Sequence, residues 1–232
     1  MMTPPTDPQK IALLDAILPH VAFDGWSQTA FDAAVTEIGI DPAHARTMCR
    51  RGAVDLAIAY HMRADAAMIA ALKASDMSDM RFRDKVAHAL RLRIAGIDDK
   101  EAVRRAAALF ALPHMAADGS KLIWGTADKI WEALGDTSQD VNWYTKRMTL
   151  SGVYSAVILY WLGDDSLDGQ ATDAFIDRRI DDVMQFEKFK STMRDNPLFK
   201  PFTGPLSKML SSVRAPTKMP PADLPGIWQD PR

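Results

Sequence analysis

From about residue 9 to residue 194 the apolar side chains recur three and four positions apart, and β-branched and aromatic residues do not cluster at period two. That pattern excludes a sheet and predicts an all-α chain. Ile11, Leu14, Leu18 and Val21 set the first helix, which ends near "FDG". Trp26 to Ile38 reads as a second helix closed by Gly39, and Asp41 followed by Pro42 as the cap and first residue of a short third. Longer helices are expected over about 52–73, 77–95, 98–115, 120–134, 138–162 and 169–194, with punctuation at Gly96, "DGS", "GDTS" and "GDDS".

At 232 residues the chain can bury a sizeable core. Cys49 is its one cysteine, which excludes an intrachain disulfide and a cysteine-based zinc site. The longest apolar stretch, Val153 to Leu162, is about half the ~20 residues a membrane-spanning helix needs. The opening "MMTPPTDPQK" has neither the basic end and apolar run of a signal peptide nor the arginines of a transit peptide. A cytoplasmic protein is expected.

The second and third helices, joined by a Gly-containing turn, are spaced like a helix-turn-helix. With four helices opening an all-α chain, they resemble the TetR-type regulators, which read DNA with the third helix and bind a ligand in a larger helical domain. DNA affinity rests largely on Lys and Arg at phosphates. Residues 1–60 carry four bases (Lys10, Arg46, Arg50, Arg51) against seven acids, a net charge of −3. Asp24, Asp32, Glu37 and Asp41 would face phosphates in or around the motif. Arg46, Arg50 and Arg51 at the third helix keep a repressor with a hydrophobic effector as the alternative. The charge balance favours a helical scaffold that does not bind nucleic acid.

Catalytic patterns are missing across several classes. His20, His44, His61, His88 and His114 form no Glu-x-x-His or His-Glu-x-x-His arrangement. There is no nucleophile elbow and no strand-borne phosphate loop. Two arginines follow Cys49 and would lower its pKa, but a small buried thiol is the simpler reading. The expectation is a binding protein without catalytic residues, metal or cofactor.

The stretch "GDTSQDVNWYTKRMTLSGVYSAVILYWLGDDS", residues 135–166, carries the most information. Asp140, Trp143, Tyr144 and Arg147 fall at i, i+3, i+4 and i+7 and share a helix face. Trp, Tyr and Arg are enriched at interface hot spots. From spacing alone a docking patch and an inward-packed aromatic pair with Arg147 at a solvated rim are equally good. Further on, Tyr154, Val157 and Trp161 cover one face while Val153, Ile158 and Leu159 widen it, as in a helix at the centre of a bundle. Trp124, Ile130, Trp131, Leu134, Phe175, Ile176, Ile180 and Met184 offer enough apolar surface to fill a core or to line a lipid pocket, and spacing does not assign the lining.

"ILPHVAFDGWSQTA", "RRGAVDLAIAYH", "IWGTADKIWEALGDTSQDVNWYTKR" and "YSAVILYWLGD" resemble, in order, the bacterial members of the ubiquinone-biosynthesis accessory family, coenzyme Q protein nine. The resemblance runs from about residue 9 to 215. It implies a TetR-like fold without DNA regulation and a C-terminal domain that binds lipids, including isoprenoid quinone intermediates. It also implies assistance to the di-iron demethoxyubiquinone hydroxylase, by presentation of the membrane-embedded precursor. The family's docking patch corresponds to Asp140, Trp143, Tyr144 and Arg147. Mitochondrial members carry a transit peptide, so the start of this chain fits a bacterial, cytoplasmic version peripheral to the inner membrane. TetR-like proteins pair through their last two long helices, which makes a homodimer the default expectation.

Residues 196–219 contain Lys200, Lys208, Arg214 and Lys218 and no acid. Leu206, Met209, Leu210 and Val213 form one apolar face of a short expected helix from Pro205 to Arg214, with Leu198, Phe199 and Phe202 just before it. Bases beside an apolar face suit an anionic membrane surface. A helix docked on its own core is the competing reading, and the family resemblance favours the membrane. The expected organisation is a tail over 1–8, a helix-turn-helix-like subdomain over 9–50, a helical ligand-binding domain over 51–195, a membrane-engaging segment over 196–215 and a Pro-rich tail over 216–232.

Overall fold

A computed structural model describes residues 5–195, with side chains as far as 185, and residues 214 and 215. Among these residues there is no strand, and the helices are α1 Pro8–Asp24, α2 Gln28–Glu37, α3 Pro42–Met48, α4 Ala53–Ala74, α5 Phe82–Ala95, α6 Lys100–Phe110, α7 Ala116–Ala133, α8 Val141–Leu162 and α9 Gln170–Asp195. A single 3-10 turn, Leu167–Gly169, precedes α9. None of the described helices is long and apolar enough to cross a membrane.

Local chemistry explains the boundaries. Asp7, Ser27, Asp41 and Asp99 each accept a backbone N–H in the first turn of the helix they open, and Pro8 and Pro42 occupy first-turn positions where no N–H is needed. Gly39 follows α2 with φ +67°, a left-handed position that ends the helix cheaply only for glycine. α5 starts later than the periodicity predicts because the Asp76 carboxylate accepts from both the amide and the hydroxyl of Ser78, holding 76–78 in a turn. α6 stops earlier because Pro113 disfavours helix at the residue before it.

Two large apolar cores result, with a small third cluster of Ile58, Met62 and Leu122 between α4 and α7. The first joins α1, α2 and the N-terminal half of α4 around Leu13, Ile17, Phe31 and Leu56, with Ala102 of α6 closing it. The Trp26 indole donates to the Ala102 carbonyl at 3.0 Å, tying the α1–α2 corner to α6. The second core packs Met68 and Leu72 of α4 against α5, α7, α8 and α9 around Leu90, Ile130, Val157 and Ile176. α4 therefore contributes to both.

Two apolar expectations are corrected. α8 is not enclosed: it rests on α7 and α9, burying Leu150, Val153, Tyr154 and Val157, while its other face leaves Met148 and Leu159 63% and 67% exposed. Met184 on α9 likewise faces outward.

Candidate functional site

A cavity of about 340 Å3 opens between the two cores, within the size range of small-ligand sites. Five helices wall it, three of them with the same register. α4 presents Ala57, Tyr60, His61 and Ala64; α6 presents Val103, Ala106, Ala107 and Phe110; α7 presents Ala116, Gly119, Ser120 and Ile123. Each set is i, i+3, i+4, i+7, one face of a helix. Ile158 and Leu159 of α8 complete the apolar wall. Space remains because these faces are built largely from alanine, glycine and serine. Gly119 lets α6 and α7 meet: a Cβ there would stand 2.9 Å from the Cβ of Phe110.

Polar groups gather at the inner end. Arg93, from α5, is 2% exposed and donates from Nε to Asp65 Oδ1 at 2.7 Å. Arg93 Nη2 reaches the His61 carbonyl at 3.2 Å and His61 Nδ1 at 3.3 Å. Nδ1 therefore accepts, and Nε2–H donates to the Thr126 hydroxyl at 2.9 Å. Thr126 in turn donates to Asp65 Oδ1 at 2.9 Å, and Lys129 Nζ donates to Asp65 Oδ2 at 2.7 Å. Burial, with the positive charge of Arg93 next in weight, lowers His61 to about 3, so the imidazole is neutral. Burial alone would raise the Asp65 carboxyl, but its cationic neighbours reverse that and keep it ionised. Burial pushes the Tyr154 phenol up to about 12. The Arg93 guanidinium lies 5.6 Å from the Tyr154 ring centroid.

The stripe on α8 is built differently from the sequence expectation. Asp140 is exposed and caps the helix, accepting from the Asn142 amide at 3.0 Å. Trp143 and Tyr144 are half-buried, edge to face at 4.8 Å, and Trp124 of α7 lies 5.9 Å from Trp143. Arg147 is not at a solvated rim. It is 1% exposed, donating to Asp128 at 2.6 Å, to Asp136 at 3.0 Å and to the Trp143 carbonyl at 3.1 Å. Two carboxylates from α7 and the following loop neutralise it, which is what permits its burial. Burial would raise the Asp136 carboxyl, but hydrogen bonds from Lys146, Ser138 and Arg147 outweigh it and hold the group at about 2.

The helix-turn-helix region is also bound up internally. Arg46 packs over Phe31 and lies 3.9 Å from Asp32, and Arg51 is paired with Asp55 and with Asp118 of α7. Cys49 is fully buried, and burial raises its thiol pKa, the opposite of an activated nucleophile.

Of the membrane segment, Leu198, Phe199, Phe202, Leu206, Lys208, Met209, Leu210 and Val213 lie outside the described residues. Arg214 is exposed, and its carbonyl accepts from the Tyr144 hydroxyl at 3.4 Å, while the Ala215 amide donates to the Gln139 carbonyl at 2.9 Å.

Comparison with known proteins bears on this geometry. A solved TetR transcriptional regulator of Nitrosomonas europaea, 17% identical, superposes with a TM-score of 0.63 over 75% of this chain and 97% of its own. The fold is TetR-like. The α7–α8 segment and α9 as far as residue 187 match a family described as COQ9. The chain is 30% identical to the probable ubiquinone biosynthesis protein coq9, mitochondrial, of Dictyostelium discoideum, over 80% of this chain and 63% of that protein. It is 28% identical to ubiquinone biosynthesis protein COQ9, mitochondrial, of Bos taurus, over 74% and 56%. It thus spans less than two thirds of the length of either relative. The matched stretch includes the α7 and α8 walls of the cavity, the Arg147 cluster and the Asp140–Trp143–Tyr144 face. His61, Asp65 and Arg93 come from helices outside it.

Proposed function

We propose that the chain is a non-catalytic, lipid-binding accessory protein of ubiquinone biosynthesis. It takes a prenylated quinone precursor into the α4–α6–α7–α8 cavity and presents it at the membrane to the di-iron demethoxyubiquinone hydroxylase. The observation that carries this reading is the cavity: an apolar chamber with a polar inner end, in a chain similar to proteins named for ubiquinone biosynthesis. Asp140, Trp143 and Tyr144 form the hydroxylase-docking face, and Arg147 holds Trp143 from behind. The basic segment containing Lys200, Lys208 and Arg214 engages the inner face of the membrane. A homodimer pairs through the outward faces of α8 and α9, which carry Met148 and Met184. The repressor alternative has the TetR-like fold in its favour, but two of the three arginines near α3 already serve the protein's own acids.

Hydroxylase capture tests the docking half. Truncating a hot-spot aromatic typically costs 2 kcal/mol or more, roughly 30-fold in affinity. Trp143→Ala in the full chain is expected to lose hydroxylase capture and cellular ubiquinone while keeping liposome sedimentation. Capture at wild-type strength by that variant contradicts the assignment.

A further inference from the structure

Three polar groups of the cavity wall are already engaged by the protein itself. The Tyr60 hydroxyl donates to the Asp99 carbonyl at 3.1 Å and accepts from the Asp99 amide at 3.0 Å. The Ser155 hydroxyl donates to the Ser151 carbonyl at 2.8 Å. His61 has both ring nitrogens engaged, by Arg93 and Thr126. Arg93 is different: its Nε and Nη2 are occupied, but Nη1 is buried and has no hydrogen-bond partner among the described residues. Among the lining residues Arg93 is also the one with a permanent charge. Its surroundings do not cancel that charge, because Asp65 is shared between Arg93 and Lys129 while His61 is neutral. One positive charge is thus in excess at the closed end. A buried donor without an acceptor is costly, and more so on a charged group.

The two ends of the cavity differ. His61, Arg93 and Tyr154 mark the inner end, whereas Ala111, Ala116, Ser120 and Leu159 are exposed at its mouth. Between them the walls are apolar. We propose that the cavity binds an apolar chain head first, with an acceptor oxygen of the head, a quinone carbonyl or a carboxylate, on Arg93 Nη1 and the tail leading out between α6, α7 and Leu159. Arg93 is then the residue that chooses acceptor-headed lipids over plain hydrocarbon. This rests on the reading of the cavity as a lipid site and specifies what that reading leaves open, the head chemistry and its orientation.

Three probes of similar tail length test it on the purified full chain by equilibrium calorimetry: a decyl-substituted 1,4-benzoquinone, dodecanoate and decylbenzene. A hydrogen bond from a charged donor predicts that wild type binds at least one oxygen-headed probe about tenfold or more tighter than decylbenzene. Preference for the quinone identifies a neutral carbonyl as the head, and preference for dodecanoate a carboxylate. Arg93→Lys keeps a cation for Asp65 but lacks Nη1, so the preference should fall by about the same factor. Should that variant fail to fold, the wild-type comparison decides alone. Equal binding of all three probes, or an undiminished preference in folded Arg93→Lys, overturns the head assignment and leaves a lipid cavity standing. Binding of none overturns both.

Discussion

Arg147 packs against the face of the Trp143 indole, its guanidinium carbon 4.0 Å from the ring centroid, with its charge held between Asp128 and Asp136. Trp143 is thereby braced rather than free to fold inward, and Asp140 and Tyr144 remain beside it on the accessible part of α8. A cation–π contact at a desolvated site contributes about 2 kcal/mol.

That arrangement makes Arg147 a stability residue. Arg147→Met leaves Asp128 without its cation and Asp136 with Lys146 alone, and breaking a buried pair in this way typically costs about 3–5 kcal/mol. Arg147→Glu adds a third negative charge and should be worse. Thermal unfolding is expected to show a drop of many degrees for both. A melting temperature unchanged in Arg147→Glu would mean that the side chain is solvated after all.

Acid stability carries two separable signatures. His61 is depressed to about 3 in the fold against an ordinary value near 6.5, so below about pH 6.5 the unfolded chain takes up a proton that the folded chain refuses. Stability from this group is complete above about pH 6.5 and is lost progressively toward pH 3. Asp136, held at about 2, contributes stability present above about pH 4 and lost as the pH falls through 2. Denaturant titrations at stepped pH should therefore decline in both windows. His61→Gln should flatten the upper decline and leave the lower one, and a wild-type profile level from pH 6.5 to 4 contradicts the neutral imidazole.

Gly119 gives a test of sign. Glycine to alanine in a helix interior ordinarily stabilises by up to about 1 kcal/mol. Here the added methyl would meet the Phe110 Cβ at 2.9 Å and its carbonyl oxygen at 3.3 Å, and overpacking of that kind costs about 1–3 kcal/mol. Gly119→Ala is expected to lower the melting temperature; a clear rise would show that α6 and α7 are not in close contact.

The membrane assignment predicts a charge effect. Each base near an anionic surface contributes about 1 kcal/mol, so Lys200→Glu with Lys208→Glu should reduce sedimentation with phosphatidylserine-containing vesicles by more than tenfold. Binding to neutral vesicles should change much less. Equal sedimentation of the double variant on anionic vesicles would remove the segment from the membrane.

Much of this architecture is legible in the chain itself, because helix ends are written locally. Asp7 with Pro8 and Asp41 with Pro42 announce their helices, and the stripe from Asp140 to Tyr144 was visible as a face. What escaped depends on partners distant in sequence. The burial of Arg147 requires Asp128 from α7 and Asp136 from the loop, and neither spacing nor composition places them around it. Among the described residues nothing covers the outer side of α8, which leaves Leu159 exposed despite an apolar pattern that predicts enclosure. The cavity is written in small residues, Ala57 and Ala64, Ala106 and Ala107, Ala116 and Gly119. They resemble ordinary helix formers until three helices bring those faces together. Arg93 and Asp65 lie 28 positions apart in different helices, so their pairing had no local signal.

Organic extraction of the purified full chain followed by mass spectrometry tests the central claim most directly, with wild type measured beside Ala107→Trp. Ala107 is half-buried on the cavity wall, so the indole would fill part of the chamber without entering either core. The account predicts a prenylated quinone or its aromatic precursor co-purifying with wild type and strongly depleted in Ala107→Trp at equal helix content. Wild-type protein that carries no such lipid, or a variant that carries as much of it, would contradict the account.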